Sequence, residues 1–440
     1  MTSLRGMAAE AFIWGSALVA ATRLRQNVTR PDDPLVARLP TSAGAALNRL
    51  GHQRQLSDPS FDVGVAPNVD TLYSLAWLDL ATGPFVLETP DFAARYHTFQ
   101  LAHADTSCEQ SLGLRTHGSR LPPLLIHGPD FEGPQVEGAL PIASRTRYFM
   151  IAGRILIQPG DAADAEAVAE LQRQVRLRPL ASYVGDTDEP APIPQQRVLP
   201  TAEDIADARL LFLHELGSVI LEGGLTQEEC PLVDRFAGLG LSLDRGFTPG
   251  ALGEDDIVEI AAGLQDGDAA VDRKIGALGT GVNGWSINLQ GPRFGSDFLL
   301  RAAVARNQIY VVPVEEAVYP LATTTGTGEL LDGRHRYRLE LPAPPVSAFW
   351  SLTVYRKPGR LVANPIDRYA LGDRTPGLQR DPDGGVRVLL QHDRPEAADL
   401  ANWLPIPDGQ FHLLMRLYAP HAEVLQGRWF PPPIEQLDHR

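Results

Sequence analysis

The feature that most constrains this chain is a run of strand-forming residues at positions 348–355, whose side chains would alternate between the two faces of a strand. The run is rich in aromatic, β-branched and aliphatic residues, which favour strands, and successive strand residues point to opposite faces. The two faces carry Phe349, Ser351, Thr353 and Tyr355 on one side and Trp350, Leu352 and Val354 on the other. The run therefore predicts a β-strand around which the C-terminal half is built.

Short strand patterns separated by Gly or Pro recur through both halves of the chain. The clearest lie at residues 71–80, 85–88, 96–101, 145–156, 337–341, 386–391 and 411–418. Many short strands at close spacing are typical of a β-sandwich or jelly roll. We therefore predict a mainly β protein with helical segments, built from two β-sandwich or jelly-roll-like domains.

The helical patterns lie at the N-terminus and in the middle of the chain. Apolar residues at helical spacing predict an amphipathic leading helix within the first 25 residues. A cap signal at Thr201 predicts a helix running to about Glu222, and Gly263 and Gly267 are expected to interrupt a later helix.

A Pro-rich stretch at residues 178–200 is typical of an extended surface linker and separates the two β-rich regions. We predict three parts. Residues 1–177 form a β-rich N-terminal domain with its leading helix, residues 178–283 form the Pro-rich linker and a helical insertion, and residues 284–440 form a C-terminal antiparallel β-sandwich.

The charge balance argues against some classes of partner. The formal net charge is -15, whereas nucleic acids and anionic membranes attract basic patches. No apolar run reaches the length of a membrane span, and Glu10 interrupts the apolar N-terminal segment. We expect a soluble cytoplasmic protein that binds neither nucleic acid nor membrane; a homo-oligomer is compatible with the sequence. Cys108 and Cys230 fit no metal or redox spacing, and the sequence leaves their pairing open.

Several motifs, in order along the chain, resemble those of a bacterial and fungal family. They are Asn68 to Tyr73, Trp77 to Asp79, Arg115 to Gly118, Gly291 to Arg301, Tyr319 with Pro320, Phe349 to Thr353, Asn364 with Arg368 and Tyr369, Asn402 to Pro405, and Arg416 to Tyr418. The family pairs the domain of unknown function 1254 with the domain of unknown function 1214. The resemblance implies two β-sandwich-like domains with helices between and around them, and it implies no reaction.

The first group of candidate residues lies at the start of a predicted strand. Asp70 is a candidate general base, and Tyr73 is a candidate acid or hydrogen-bond donor. The structural alternative is that Asp70 caps a turn, which Asn68 closes through local backbone bonds.

The second group consists of arginines within apolar strands or helices. Each should contact a carboxylate, a carbonyl or an anionic ligand, because an unpaired buried guanidinium is costly. The set comprises Arg115, Arg154, Arg301, Arg368 and Arg416. Structural pairs explain most of them, and we select Arg368, flanked by Asn364 and Tyr369, as the third catalytic candidate.

Aromatic residues form the third group, which could line a pocket or stack on sugars but is more often core in a β-sandwich. No organic cofactor is predicted, and the eleven histidines show no metal-binding spacing, which leaves a metal open. The predicted substrate-binding residues are Asn68, Arg115, Arg301, Trp350, Tyr355, Asn364, Tyr369, Asn402 and Trp403.

Three functions are compatible with these residues. We favour an enzyme doing acid–base chemistry of the lyase, isomerase or cyclase type, on a small and partly apolar substrate in a cleft between the domains. The alternatives are a glycan-binding or glycan-cleaving jelly-roll protein and a non-catalytic structural or assembly protein. An exposed row of tryptophans would favour the glycan hypothesis, and burial of Asn364, Arg368 and Asn402 in ion pairs would favour the structural one.

Overall fold

A computed structural model describes residues 3–30, 39–61, 66–134, 136–250 and 252–437. Helix accounts for 28% and strand for 26% of the described residues. The predicted organisation is confirmed: two β domains are accompanied by helical segments. None of the described helices is long and apolar enough to cross a bilayer.

The N-terminal domain is a β-sandwich preceded by helix α1 (Leu4–Thr29). One sheet has five strands in the order β1-β2-β8-β4-β5, and the other has four in the order β7-β6-β3-β9. The strands are β1 (Leu50–His52), β2 (Thr71–Asp79), β3 (Phe85–Glu88), β4 (His97–His103), β5 (Cys108–Gly113), β6 (Leu124–His127), β7 (Leu140–Ala143), β8 (Tyr148–Leu156) and β9 (Arg176–Pro179). Three helices accompany them: α2 (Leu114–His117), α3 (Ala162–Gln174) and α4 (Leu180–Val184). Leu72, Phe99 and Ile151 from the first sheet share a core with Phe85 and Ile126 from the second.

A helical layer joins the two domains. It contains α5 (Leu211–Leu221), α6 (Glu254–Gly276), α7 (Phe298–Gln308) and a small hairpin of β10 (Leu241–Ser242) and β11 (Gly246–Phe247). Helix α1 belongs to this layer in space, since Trp14 and Leu18 share a core with Leu216 and Ile260. The leading helix that the sequence predicted therefore packs on the helical insertion.

The two glycines expected to interrupt a helix lie inside the continuous helix α6. A Cβ atom on Gly263 would lie 2.1 Å from the carbonyl oxygen of Arg5, and one on Gly267 would lie 2.8 Å from that of Ala9. The prediction was wrong because these glycines serve close packing of α6 on α1. Ala substitutions should separate the two helices.

The helix predicted to begin at Thr201 begins at Leu211. The Asp204 carboxylate accepts hydrogen bonds from the backbone N–H of Thr201, at 2.8 Å, and from its hydroxyl, at 2.7 Å. The cap signal is therefore satisfied within a local turn, and no α-helix follows it directly. The preceding Pro-rich stretch is held on the N-terminal domain, where the carbonyl of Ala191 accepts from Arg49 at 2.7 Å and that of Pro192 accepts from Asn48 at 3.0 Å.

The C-terminal domain is a second β-sandwich. Its larger sheet has the order β12-β13-β15-β21-β17-β18, with β14 also pairing β21, and its smaller sheet has the order β20-β19-β16-β22. The strands are β12 (Thr280–Val282), β13 (Trp285–Ile287), β14 (Ala317–Val318), β15 (Leu321–Ala322), β16 (Tyr337–Leu341), β17 (Val346–Tyr355), β18 (Ala370–Gly372), β19 (Val386–Gln391), β20 (Trp403–Pro405), β21 (His412–Pro420) and β22 (Glu435–Gln436). A short helix, α8 (Ala422–Leu425), follows β21.

Strand β17 has the two faces that its alternation predicts. Trp350, Leu352 and Val354 lie in the core between the two C-terminal sheets. The opposite face, which carries Ser351 and Tyr355, contacts the N-terminal domain through Asp70 and Pro67. The larger C-terminal sheet therefore has one face in its own core and the other against the neighbouring domain.

The burial of His52 predicts a loss of stability in acid. Burial, assisted by the charge of Arg54, lowers the pKa of His52 to about 4. The unfolded chain, with an imidazole pKa near about 6.5, takes up the proton first, so stability falls as the pH drops from about 6.5 to about 4. The loss should approach about 3 kcal/mol. Urea unfolding of His52→Gln across this pH range should show a weaker dependence of the free energy of unfolding on pH, because one proton fewer is taken up on unfolding. A pH dependence equal to that of wild type would contradict the assignment.

Candidate functional site

The candidate site lies where the five-stranded N-terminal sheet faces the larger C-terminal sheet. Register places Tyr73 of β2 beside Arg154 of β8, and Arg416 of β21 beside Ser351 of β17. The side chains between the sheets include a polar group that we call the interdomain cluster. It comprises Asn68, Asp70, Tyr73, Arg154, Tyr319, Ser351, Tyr355, Arg374, Arg416 and Tyr418.

Asp70 connects the two domains. Its Oδ2 accepts a hydrogen bond of 2.6 Å from the Ser351 hydroxyl, and its Oδ1 accepts one of 2.7 Å from Nη2 of Arg374. The residue is only 2% exposed. Because both carboxylate oxygens already accept strong hydrogen bonds, the geometry favours a structural role for Asp70 over the predicted role of general base.

Asn68 shapes the turn that precedes β2, as the structural alternative expected. Its Oδ1 accepts from the backbone N–H groups of Asp70, at 2.7 Å, and Thr71, at 3.3 Å. Its amide nitrogen donates to the hydroxyl of Tyr418 at 3.0 Å and lies 3.5 Å from that of Tyr73. The turn therefore directs one amide group towards two phenols, one from each domain.

Tyr73 is the phenol whose environment favours ionisation. Its oxygen accepts a hydrogen bond of 3.2 Å from Nε of Arg154. Burial acts to raise the pKa of Tyr73, but the charge and hydrogen bond of Arg154, with Asn68 and Arg416, outweigh it and bring the pKa below its ordinary value. The residue as a whole is partly exposed. Tyr73 thus combines partial exposure with an environment that stabilises the phenolate.

The neighbouring tyrosines have the opposite electrostatic environment. Burial is the main cause that raises the pKa of Tyr319 to about 12 and the pKa values of Tyr355 and Tyr418 above their ordinary value. Tyr96, at the edge of the cluster, donates to Glu316 at 2.6 Å, and burial raises its pKa as well. These phenols should stay protonated at neutral pH and act as hydrogen-bond donors.

Arg154 and Arg416 are almost fully buried, at 8% and 3% exposure. Arg154 donates to the side-chain oxygen of Gln100 at 2.9 Å as well as to Tyr73. Arg416 donates to Thr353 Oγ1 and to the Tyr355 hydroxyl, both at 2.8 Å. Among the described residues, neither guanidinium has a carboxylate within ion-pair distance.

Of the residues predicted from sequence, four come together here: Asn68, Asp70, Tyr73 and Tyr355. Arg115 lies at the edge, where its Nε donates to Glu316 at 2.9 Å. Arg154 and Arg416 were among the arginine candidates but not among the predicted site residues. Tyr319, Arg374 and Tyr418 were not predicted as site residues, although Tyr319 and Tyr418 lie in the motifs that carry the family resemblance. Ser351 could have been predicted as a site residue, because alternation in β17 places it on the same face as Tyr355.

The structure places Arg368, Asn364 and Asn402 elsewhere. Nη1 of Arg368 donates to the carbonyls of Leu400, Ala401 and Trp403 at 2.8, 3.2 and 2.8 Å. Asn364 closes the turn by donating to the carbonyl of Arg368 at 3.0 Å, and Asn402 donates to two other backbone carbonyls. These groups hold the 364–369 segment against β20, and this local geometry accounts for their hydrogen-bonding capacity.

Four further predicted residues also lie outside the cluster. Arg301 pairs with Glu229 at 2.7 Å within the helical layer, because α7 carries it towards α1. Trp350 lies in the C-terminal core, and Trp403 is fully buried with its indole donating to Gln391. The last one is Tyr369, which donates to Asp367 at 2.9 Å.

Arg368→Ala should therefore change stability and leave ligand binding in the cluster unchanged. Three backbone carbonyls share one charged donor group, Nη1 of Arg368, and hydrogen bonding to a charged group contributes about 1.5–3 kcal/mol net. We expect a loss of about 2 kcal/mol in the free energy of unfolding. Urea denaturation measures it, with the exposed Arg387→Ala as a control, since Arg387 pairs with Glu340 on the surface. A stability equal to that of wild type would contradict this role.

Within the described residues, no group of three or more His, Cys, Asp or Glu side chains is arranged to hold a metal ion. His103 and Asp105, two residues apart on the chain, both have protein partners. His103 lies 3.3 Å from the Ser144 hydroxyl, and Asp105 accepts from the backbone of Ser107 at 3.0 Å and lies 3.6 Å from Arg301.

Comparisons with known proteins agree with the two-part organisation. The family described as "Protein of unknown function (DUF1254)" matches residues 47–179, and the family described as "Protein of unknown function (DUF1214)" matches residues 316–422. The two matches contain the N-terminal sandwich with Asn68 to Arg154 and most of the C-terminal sandwich with Ser351 to Tyr418. No curated protein is significantly similar to the chain.

A solved structure shows the same fold. The chain is similar to the crystal structure of the VPA0106 protein from Vibrio parahaemolyticus, with a TM-score of 0.74 and 22% identity, over 99% of this chain and 100% of that one. A second similarity is to an uncharacterised protein from Burkholderia cenocepacia, with a TM-score of 0.45 and 12% identity, over 98% of each chain.

Proposed function

We propose that this chain, which belongs to the family that pairs the domains of unknown function 1254 and 1214, is a small-molecule enzyme in which Tyr73 transfers a proton in the cleft between the two sandwiches. The observation that carries the proposal is the state of Tyr73: partly exposed, held at 3.2 Å by Arg154, and with a pKa lowered below its ordinary value. Groups with shifted pKa values at domain interfaces are characteristic of active sites.

The reaction type follows from what a phenolate can do. Tyr73 in this form removes a proton from a carbon next to a carbonyl group, and the electron pair of the broken C–H bond stays on the substrate as an enolate. The new phenol then returns the proton at another position, which is an isomerisation, or to a leaving group, which is an elimination. Arg154 compensates the charge that Tyr73 carries before the transfer.

The surroundings suit a small, partly apolar substrate. Phe349, Tyr96 and Tyr418 form one apolar group between the domains, with Leu156 packed against it. Leu414 and Val69 belong to a second group, and Tyr319 contacts both. Apolar walls with a few polar groups are the usual composition of small-molecule sites.

The glycan hypothesis has less support. Trp14, Trp77, Trp285, Trp350 and Trp403 are at most 2% exposed, and Trp429 packs against the C-terminal core. Stacking on a sugar needs an open ring face, so the tryptophans do not offer the exposed row that this hypothesis expects. A structural role fits Asp70, Arg368 and Asn402, but it does not require an accessible phenol with a lowered pKa.

Deuterium exchange into small carbonyl compounds tests the proposal without a known substrate. The native protein is incubated in D2O with a panel of ketones, β-keto acids and unsaturated acids, and the label is followed by NMR and mass spectrometry. We expect position-specific exchange or isomerisation in at least one compound class, faster than in buffer. Exchange equal to that of heat-denatured protein across the panel would overturn proton transfer to carbon as the function.

A further inference from the structure

We infer that the ligand of the interdomain cluster is a small organic carboxylate, bound through the hydroxyls of Tyr319 and Tyr418. The inference rests on the proposed function, since it names the substrate class for the same cleft. Two independent observations lead to it. One is an excess of buried positive charge, and the other is an excess of hydrogen-bond donors.

The charge excess is found by pairing the ions of the cluster. Asp70 compensates Arg374 at 2.7 Å, and Glu316 compensates Arg115 at 2.9 Å at the edge. Asp373 also lies 3.6 Å from Arg374, but burial raises the pKa of Asp373 and so favours its neutral form. Arg154 and Arg416 are left with neutral partners only. Ionisation of Tyr73 would compensate one of these two cations and leave the other. Buried guanidinium groups are costly without an anion nearby, so a second negative charge is expected in the cleft.

The donor excess is found by counting phenol protons. The Tyr418 oxygen accepts from Asn68 at 3.0 Å, but no described residue accepts the proton of that hydroxyl. The hydroxyl of the partly exposed Tyr319 makes no hydrogen bond to a described residue. The buried Thr71 hydroxyl, two residues before Tyr73 on the same strand face, also has no partner. Three donors without an acceptor favour a ligand group that only accepts, which describes a carboxylate.

The residues of the interdomain cluster differ in whether they can contact a ligand directly. Tyr319 is partly exposed and can meet a ligand directly, as can Tyr73 and Asn68. Arg154 and Arg416 already donate to oxygen atoms of the protein, so they act through their field and through the phenols they touch. The carboxylate would therefore lie at the partly exposed Tyr319 and at the unused proton of the buried Tyr418 hydroxyl, and the reacting carbon would lie beside Tyr73.

Matched pairs of probes test the inference. Isobutyrate, cyclohexanecarboxylate and benzoate are each compared with the corresponding amide, at constant ionic strength, by isothermal titration calorimetry and thermal shift. We expect at least one carboxylate to bind about tenfold more tightly than its amide. Tyr319→Phe should weaken that binding about tenfold, whereas Tyr183→Phe, in the surface helix α4, should not change it.

Two arginine variants keep the test informative if one of them fails to fold. Arg416→Lys retains the charge and should retain the preference for carboxylate over amide, and Arg416→Gln should lose it. If every carboxylate binds as its amide does, or if Tyr319→Phe binds the carboxylate as wild type does, the inference is overturned. Deuterium exchange into neutral ketones without any preference for carboxylates would overturn this inference alone. Carboxylate binding without exchange into any compound would instead overturn the proposed function.

Discussion

Tyr73→Phe should lower the rate of catalysed deuterium exchange by about 10²–10⁴-fold, the range typical of a positioned acid or base. The substitution removes one oxygen atom and keeps the ring that packs beside Arg154. Asp70, Ser351 and Arg374 are untouched, so the contact between the domains persists. Rates measured at saturating substrate would separate the loss of proton transfer from weaker binding.

The control for this experiment is Tyr183→Phe. Tyr183 belongs to α4, and its ring lies 4.9 Å from the Arg178 guanidinium on the surface of the N-terminal domain. The exchange rate should not change in this variant. A Tyr73→Phe protein that folds, binds and exchanges as wild type does would show that another group transfers the proton.

Asp70→Asn should reduce the free energy of unfolding by about 3 kcal/mol or more, in the range measured when one partner of a buried ion pair is removed. The amide would point its N–H₂ group at Arg374 or at Ser351, and either choice replaces an acceptor by a donor. Because the carboxylate joins β17 and the 373–374 segment to the N-terminal domain, unfolding should also become less cooperative. Urea denaturation followed by fluorescence and by circular dichroism measures both effects.

Asp266→Asn is the matched control for Asp70. Asp266 pairs with Arg5 at a similar distance, 2.6 Å, but the two side chains are 49% and 50% exposed. Exposed ion pairs contribute less than about 1 kcal/mol, so this variant should be close to wild type. Equal losses from Asp70→Asn and Asp266→Asn would mean that the buried contact does not hold the domains together.

The fold was predictable where local pattern decides it. Alternation in β17 gave both faces correctly, because a strand side chain can only point one way or the other. Helix α7 begins at Phe298 under a local signal of the same kind, since the Asp297 carboxylate accepts from the backbone of Leu300 at 2.9 Å. The glycines of α6 were misinterpreted because a close helix contact and a helix break use the same residue, and only the partner helix distinguishes them.

The site was only partly predictable. A dense polar segment indicated Asn68, Asp70 and Tyr73, which are close in sequence. The groups that set their chemistry are distant: Arg154 is 81 residues from Tyr73, and Ser351 and Arg374 are 281 and 304 residues from Asp70. Arg368 was selected for the polar residues around it, but those residues close a turn. The residue types around an arginine in the sequence do not show whether backbone carbonyls in the folded protein already accept the hydrogen bonds of its guanidinium.

Titration of the tyrosines by NMR tests the central claim most directly. The protein has ten tyrosines, which can be labelled with ¹³C at Cζ, and the Tyr73 signal is assigned by its absence in Tyr73→Phe. We predict that the Tyr73 signal titrates below the ordinary phenol pKa of about 10, because Arg154 and Asn68 stabilise its phenolate. The Tyr319 signal should titrate only near about 12. A Tyr73 signal that titrates with or above that of Tyr319 would contradict the proton-transfer role on which the proposed function depends.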